Sequence, residues 1–405
     1  MPAMNAHRQC LVALAGLLLT AHAGADALET PAVPGAVNTR GTEVFRWSPG
    51  EKAANFRRME ALFPAGTAPR GASSRRLPEG LPLAAYAPDG THAARLDEFL
   101  GAEHVAGLLV LHQGRIRLER YGLGHSATER WTSFSVAKSI TSTLVGAAIR
   151  DGDIAGLDAD ITRYISELKG TAYEGVTVEQ LLTMTSGVAF NEDYGDPDSD
   201  IMRLYGDPPV PGVDATVGFV RNLPREAAPG AVWRYKTPET NLAGVLVMAA
   251  TGRSLSDYLA EKIWQPYGME QDATWLVDHI GNEQGGCCLQ VALRDYARFG
   301  QFILEGGRID GEPILPDGWL EAATSTRAAT GAPGGYGYQW WPLGDGSFQA
   351  RGIFGQLIHL DPARELVIVI SAAWPEPNTR ERRVAQIALA REIAAAIDAE
   401  AAAID

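Results

Sequence analysis

A serine and a lysine stand three residues apart at the start of an apolar stretch. Ser135 and Lys138 open a run that continues through Ile140, Leu144 and Val145. Because positions i and i+3 share one face of a helix, the hydroxyl and the amine can reach hydrogen-bonding distance. The positive end of the helix dipole disfavours a protonated lysine, so Lys138 can act as a base near neutral pH. The pattern predicts a nucleophilic serine; the alternative is a serine that only caps the helix.

The same Ser-x-x-Lys spacing occurs a second time and provides an internal control. Ser166 and Lys169 are followed by no apolar helix, and Lys169 precedes Gly170, a residue typical of helix ends. The context therefore favours Ser135. A Ser-His-Asp triad stays open as an alternative mechanism, and its histidine would be His125, which lies shortly before Ser135.

Two later segments offer further groups for acyl transfer. Tyr235 lies on a loop before a helix that Pro238 opens, where its hydroxyl could relay a proton or share the work of the base. Alternatively, it is a core tyrosine. Residues 350–356 predict a strand and its turn, in which Gly352 permits close approach of a substrate and a strand N–H could complement the Ser135 N–H as an oxyanion donor. The alternative is an ordinary glycine-containing hairpin.

Charge and the N-terminus restrict the class of partner. The 405 residues carry a formal net charge of -14 and no long basic run, which gives nucleic acid or an anionic membrane little electrostatic attraction. Residues 1–25 combine a short basic start, an apolar stretch from Cys10 to Thr20 that is too short to span a bilayer, and small residues at Ala23 and Ala25. They predict a signal peptide, hence a periplasmic or secreted protein without a stable membrane span after cleavage. The alternatives are a buried helix or an uncleaved anchor.

Cysteine usage excludes a disulfide framework between distant segments. After removal of the signal peptide only the neighbours Cys287 and Cys288 remain. The expectation is two buried thiols on a turn, since a bridge between adjacent residues would be strained. The histidines show no metal-ligand spacing, and the proposed chemistry needs no metal or organic cofactor.

The elements that position these groups come from both ends of the chain. We expect residues 26–95 to form an N-terminal extension on the surface, without chemistry, and residues 96–405 to form one domain. Strand patterns occur in Gly107 to His112 and Arg115 to Tyr121, and return near the C-terminus, whereas about 136–324 is mostly helical. The sequence predicts an α/β (α+β) fold, with an antiparallel sheet from about 96–135 and 325–405, flanked by helices, and an inserted all-α lobe. A ligand site is expected in the cleft between the lobes.

In this order the motifs resemble the penicillin-recognising serine hydrolases, in particular the class C β-lactamase and family VIII esterase group. Within that group the chain most resembles 6-aminohexanoate-dimer (nylon-oligomer) hydrolases. The resembling stretch runs from about Leu96 to the C-terminus. Its motifs are Phe134 to Ser139, Leu182 to Gly187, Asn191 to Tyr194, Tyr235, Gly285 to Cys288 with Arg294 and Asp295, Tyr336 to Trp341, and Gly352 to Gln356.

The resemblance implies a β-lactamase/transpeptidase-like fold and a role for each matching residue. Ser135 would be the acylated nucleophile, Lys138 its base and Tyr235 the second proton-handling group. The oxyanion donors would be the N–H groups of Ser135 and Ile353. Tyr194 matches a tyrosine that contacts the scissile amide in the nylon-oligomer enzymes; alternatively, it packs its own loop.

Two departures bear on the substrate. The class C pattern has Lys-Thr-Gly where this chain has Ala350, Arg351 and Gly352, and Tyr-x-Asn where it has Tyr235, Lys236 and Thr237. A β-lactam carboxylate would lose its usual lysine, which Arg351 or Lys236 could replace. Efficient β-lactamase activity is not expected.

The expected substrate is a small-molecule amide or ester. Trp340 and its neighbour Trp341 could form an apolar wall, and the acidic loop around Asp193 and Asp196 could favour an amine-bearing compound. Alternatively, the tryptophans belong to the core and the acids to a solvated loop. The sequence predicts a secreted serine hydrolase. Its alternatives are a carboxylesterase, a DD-peptidase or β-lactamase of the same fold, or a non-catalytic sensor that captures an acyl ligand.

Overall fold

The computed structural model describes Gly35 and residues 40–331 and 334–403. The predicted signal peptide lies outside these residues and stays a prediction. Within them, no helix combines the length and the apolar character needed to cross a membrane.

The described residues form two main sheets and a set of helices. The strands are β1 (Ala65–Ala68), β2 (Val105–His112), β3 (Arg115–Tyr121), β4 (Arg130–Thr132), β5 (Ala273–Leu276), β6 (Leu289–Ala292), β7 (Arg308–Ile309), β8 (Glu312–Pro313), β9 (Trp341–Pro342), β10 (Phe348–Arg351), β11 (Leu357–Asp361) and β12 (Leu366–Ala372). The α-helices are α1 (Pro49–Asn55), α2 (Met59–Leu62), α3 (Ala93–Ala102), α4 (Ala137–Asp151), α5 (Val178–Leu182), α6 (Asp200–Leu204), α7 (Ala215–Val220), α8 (Thr237–Thr251), α9 (Leu255–Leu259), α10 (Leu293–Leu304), α11 (Trp319–Thr324) and α12 (Arg380–Ala402).

The larger sheet joins the two ends of the domain. Its six strands lie in the order β3-β2-β12-β11-β10-β9, and every pairing is antiparallel. The central strands β2 and β12 pair with Leu109 opposite Val369, and almost all of their side chains are buried. Continuous apolar strands of this kind need cover on both faces. The expected antiparallel sheet from both termini, flanked by helices, is therefore present.

A second sheet was not predicted. It has the order β1-β5-β6-β4, and two of its strands, β5 and β6, lie within the mostly helical middle of the chain. Each has only four residues. Periodicity does not distinguish so short an apolar run from a buried helical segment, so strands could not be predicted there.

Described residues of the N-terminal extension contribute side chains to the core, which corrects the expectation of a segment that lies on the surface. Its strand β1 pairs with β5, placing Ala65 opposite Leu276. The side chains of Phe56 and Phe63 are 0% and 2% exposed. The extension therefore supplies an edge strand of the smaller sheet. This position depends on packing between segments that are distant in the sequence, and the local residue pattern does not reveal it.

The adjacent cysteines are bridged, contrary to the expectation of two thiols. Cys287 and Cys288 form a disulfide. Cys288 has a φ of 68°, so the backbone turns sharply at this point. Hydrogen bonds to both carbonyls hold the turn: the Trp275 indole N–H donates to Cys287 O at 2.9 Å and the Leu276 N–H donates to Cys288 O at 3.1 Å.

Candidate functional site

Ser135 lies on a tight turn immediately before α4. Phe134, the residue before it, has a φ of 41°, which is uncommon for a side-chain-bearing residue and typical of strained positions in active sites. Aromatic packing holds this turn: the Phe134 ring lies 5.0 Å from Phe56 of the extension and 5.1 Å from Phe354. The nucleophile candidate is thus fixed from both sides.

Lys138 contacts Ser135 as the i,i+3 spacing predicts. Its Nζ lies 3.2 Å from Ser135 Oγ, 3.1 Å from Thr237 Oγ1 and 2.6 Å from the Gly286 carbonyl oxygen. The side chain is buried, and burial lowers the pKa of Lys138 to about 8, against a smaller opposing effect of Glu192. A lysine with this pKa is partly neutral near neutral pH, so it can accept a proton.

Tyr235 is the third of the predicted catalytic residues, after Ser135 and Lys138. Its ring stacks on Trp341 at 5.8 Å, and Lys138 Nζ lies 5.4 Å from the ring centroid. Burial raises the pKa of Tyr235 far above its usual value, and the negative charge of Glu192 raises it further. The hydroxyl is therefore protonated at neutral pH and has a proton to pass on.

The predicted oxyanion strand lies against the nucleophile turn. A Cβ on Gly352 would lie 2.6 Å from the Ser133 carbonyl oxygen, so only glycine permits this approach. The Gly352 and Phe354 N–H groups donate to backbone carbonyls, whereas no acceptor for the Ile353 N–H is found in the described part of the chain. Ile353 lines the same cavity as Ser135.

Two functional side chains were missed by sequence reasoning. Glu192 accepts hydrogen bonds from the Thr237 hydroxyl at 2.6 Å and the Thr237 N–H at 2.5 Å. Thr237 thereby links the Glu192 carboxylate to the Lys138 amine. Thr237 had been noted only as a departure from Tyr-x-Asn, and nothing in the spacing indicates that Glu192 reaches it across 45 residues.

Tyr194 lies at the cavity and also packs its loop. Its hydroxyl donates to Glu192 Oε1 at 2.7 Å, and its ring lies 5.2 Å from Phe45. Both alternatives for this residue therefore have a basis in the structure. Of the acidic loop, Asp193 lines the cavity, while Asp196 accepts the Asp198 N–H within a turn.

Ser135, Tyr235 and Ile353 line a cavity of about 870 Å³. Its walls include Ser135, Glu192, Tyr194, Tyr235, Trp341, Arg351, Gly352, Ile353, Glu376, Arg380, Arg383 and Val384. The volume suits a small linear or branched substrate.

The prediction that Trp340 forms a wall of the site is wrong. Trp340 is 1% exposed, and its ring stacks on Phe299 and meets Phe348 edge-on in the core. Trp341 lines the cavity instead. Successive side chains of an extended segment point to opposite sides, so one residue of register separates core from cavity.

Lys236 is also unavailable to a substrate. It is 0% exposed, its Nζ lies 2.8 Å from Glu239 Oε1, and it donates to Ser186 Oγ at 2.8 Å. An ammonium placed this deeply is stable only beside a counter-charge, which Glu239 supplies. Lys236 is a structural ion-pair partner.

Replacing Lys236 with methionine is expected to destabilise the fold by about 3–5 kcal/mol, because it leaves the Glu239 carboxylate buried without its partner. Urea unfolding at constant pH measures the change. Lys169→Met, which removes the same charge from an exposed position, is expected to stay within about 0.5 kcal/mol of the unmodified protein. Equal stabilities of the two variants would contradict the assignment.

The competing nucleophile and histidine are not in the site. Ser166 and Lys169 are both exposed, and the Ser166 hydroxyl bonds Glu167. His125 packs between the rings of Tyr121 and Trp131, and burial lowers its pKa to about 4. Within residues 40–331 and 334–403, no cluster of three or more potential metal ligands occurs.

Comparisons with known proteins identify the family. A family model described as Beta-lactamase matches residues 93–392. The 6-aminohexanoate-dimer hydrolase of Paenarthrobacter ureafaciens is 30% identical over 82% of this chain and 89% of its own length.

Solved structures share the fold. A Bacillus anthracis protein assigned as a 6-aminohexanoate-dimer hydrolase superposes with a TM-score of 0.76 at 24% identity, over 92% of this chain and 99% of that one. A class C beta-lactamase from Rhodobacter sphaeroides gives a TM-score of 0.55 at 17% identity, over 74% and 98%. The chain therefore belongs to the beta-lactamase family and is a serine hydrolase of the beta-lactamase-related type.

Proposed function

We propose that this protein hydrolyses an amide or ester bond of a small molecule through an acyl-enzyme on Ser135. The observation that carries the proposal is the 3.2 Å contact between Ser135 Oγ and Lys138 Nζ. Burial keeps part of that amine neutral near pH 7. A serine beside a neutral amine is an activated nucleophile.

The two buried groups divide the proton transfers between them. Neutral Lys138 accepts the Ser135 proton as Oγ attacks the substrate carbonyl, and the N–H groups of Ser135 and Ile353 stabilise the oxyanion. Tyr235 donates its proton to the leaving group and recovers one from the Lys138 ammonium. Water then attacks the acyl-enzyme and releases the acid. The raised pKa of Tyr235 keeps its hydroxyl protonated, so Tyr235 can pass a proton on only as it receives one, and the lowered pKa of Lys138 makes the amine the base.

The preferred bond is a linear amide. The relative from Paenarthrobacter ureafaciens is named for hydrolysis of the 6-aminohexanoate dimer, a linear amide. Tyr194 lines the cavity, and its hydroxyl, which donates to Glu192, keeps a lone pair that can accept from the N–H of a bound amide. The N-terminal signal pattern favours action outside the cytoplasm.

The test supplies the purified protein, without residues 1–25, with linear 6-aminohexanoate dimer and separately with p-nitrophenyl butyrate. We expect release of amine and of p-nitrophenol, with a transient acyl adduct on the peptide that contains Ser135 in quenched samples. A permanent adduct without turnover would identify an acyl-binding sensor. Turnover of the ester alone would identify a carboxylesterase.

A further inference from the structure

The disulfide between Cys287 and Cys288, here called the bridge, lies beside the base and the nucleophile. The residue before it, Gly286, provides the carbonyl oxygen that lies 2.6 Å from Lys138 Nζ. Both cysteines also line a small hollow of about 40 Å³, whose walls include Ser135. The bridge is therefore connected to the base through one peptide group and to the nucleophile through the hollow.

The Gly286 carbonyl orients the neutral amine of Lys138. A neutral amine has two N–H bonds and one lone pair. The Lys138 Nζ lies 2.6 Å from Gly286 O, 3.1 Å from Thr237 Oγ1 and 3.2 Å from Ser135 Oγ. A carbonyl oxygen can only accept, and Thr237 Oγ1, which donates its own proton to Glu192, also accepts from the amine. Both N–H bonds are thus directed away from Ser135, and the lone pair remains for its proton.

The bridge restricts the turn that presents this carbonyl. Cys288 has a φ of 68°, in the left-handed region that a residue with a side chain adopts at a cost in free energy. A disulfide between adjacent residues closes a small ring that includes the peptide bond between them, so it limits their backbone angles directly. The Gly286 carbonyl belongs to the peptide group that joins Gly286 to Cys287. A rotation of the Cys287 backbone therefore moves the acceptor of the Lys138 amine.

The bridge contributes little to the stability of the fold through chain entropy. The entropy that a disulfide removes from the unfolded chain grows with the length of the loop that it closes. Here the loop contains only the two bonded residues, and no distant segments are joined. The effect of the bridge on the local turn therefore explains its position better than a contribution to overall stability does.

Opening the bridge requires space, and the adjoining space extends to the nucleophile. Two thiol sulfurs approach only to van der Waals contact, far beyond the length of a bond, so at least one side chain must move. Both side chains are buried, and the Tyr205 hydroxyl lies 3.7 Å from Cys287 Sγ. The hollow adjoins both cysteines and reaches Ser135. Opening would therefore move a thiol into the hollow and release the turn before it.

We propose that the Cys287–Cys288 bridge is a redox modification site that controls the base, so that the bridged form is active and reduction by a dithiol lowers activity reversibly. The S–S bond breaks and two S–H bonds form, while the dithiol gives up two hydrogens and closes its own disulfide. The inference rests on the proposed function and adds regulation to the same site. It confines activity to oxidising surroundings, in which disulfides form and persist.

Reversible reduction tests the proposal. The protein without residues 1–25 has Cys287 and Cys288 as its only cysteines, so titration of thiols after unfolding reports the state of the bridge. We expect excess dithiothreitol to release two thiols per chain and to lower kcat for p-nitrophenyl butyrate about 10-fold or more, with recovery after reoxidation. KM should change less, because the bridge acts on the orientation of the base.

The control variant is Cys287→Ser, which cannot form the bridge and nearly keeps the volume of the side chain. It should have the lower kcat of the reduced protein and should not respond to dithiothreitol. A bridge that stays closed in excess dithiothreitol would overturn the proposal, as would equal kcat values of the bridged and reduced proteins. An equal effect of dithiothreitol on Cys287→Ser would also overturn it. The reversible response of the unmodified protein decides the question even if the variant does not fold.

Hydrogen exchange separates the bridge from catalysis. Exchange in a peptide that covers residues 284–290, measured by mass spectrometry, should become faster on reduction, while peptides from α10 should not change. If the bridged protein turns over no ester or amide but this exchange becomes faster, the proposed function fails and the redox-sensitive turn stands. If esters are turned over at equal rates in both forms, the redox control fails alone.

Discussion

Replacing Ser135 with alanine is expected to lower kcat for p-nitrophenyl butyrate roughly a thousandfold or more, because it removes the hydroxyl on which the acyl-enzyme forms. The matched control is Ser166→Ala, in the second Ser-x-x-Lys copy. Ser166 is exposed and its hydroxyl donates to Glu167, so loss of the hydroxyl should change kcat less than about twofold. Initial rates of p-nitrophenol release measure both.

This comparison also separates the catalytic centre from general damage to the fold. Ser135 is 7% exposed and its Oγ contacts the Lys138 amine, so alanine removes one oxygen without leaving a large cavity. An unfolding midpoint close to that of the unmodified protein is therefore expected. Full activity in Ser135→Ala, or its loss in Ser166→Ala, would refute the assignment of the nucleophile.

The pairing of Ser135 and Lys138 could be predicted because it is local. Helix geometry alone brings positions i and i+3 together, and the structure places the two atoms 3.2 Å apart. The sheet could be predicted because β2 and β12 are long and apolar. Tyr235 and Gly352 came together with them only through the resemblance, since their spacing alone left ordinary alternatives open.

The errors arose where distant packing decides. Nothing in the residues around Lys236 indicates that Glu239 and Ser186 enclose it. The choice between Trp340 and Trp341 depended on one residue of register. Arg383 stands in a helix rich in arginine, and only the fold distinguishes it, at the cavity wall, from Arg382 with its ion pair. Local pattern carries no information about such partners.

The same reasoning leads to a pH dependence governed by Lys138. Only the neutral amine accepts the Ser135 proton, and burial lowers the pKa of Lys138 to about 8 from its usual value near 10.5. We expect kcat/KM to rise with pH through about 8 and then level, since kcat/KM reports the free enzyme. Lys138→Ala should lower kcat/KM roughly a thousandfold at pH 8, and the rise of kcat/KM near pH 8 should disappear.

Glu192 should determine the pH at which kcat/KM rises. Its negative charge opposes the effect of burial and raises the pKa of Lys138, so Glu192→Gln is expected to move the rise to lower pH. The glutamine keeps an acceptor for Thr237, which preserves the position of the amine. Asp193→Asn removes a charge from the next residue, which has no described effect on Lys138, and should move the rise less. Profiles of kcat/KM from pH 6 to 10 measure both shifts. If both variants shift equally, or if neither shifts, Glu192 does not set the pKa of Lys138.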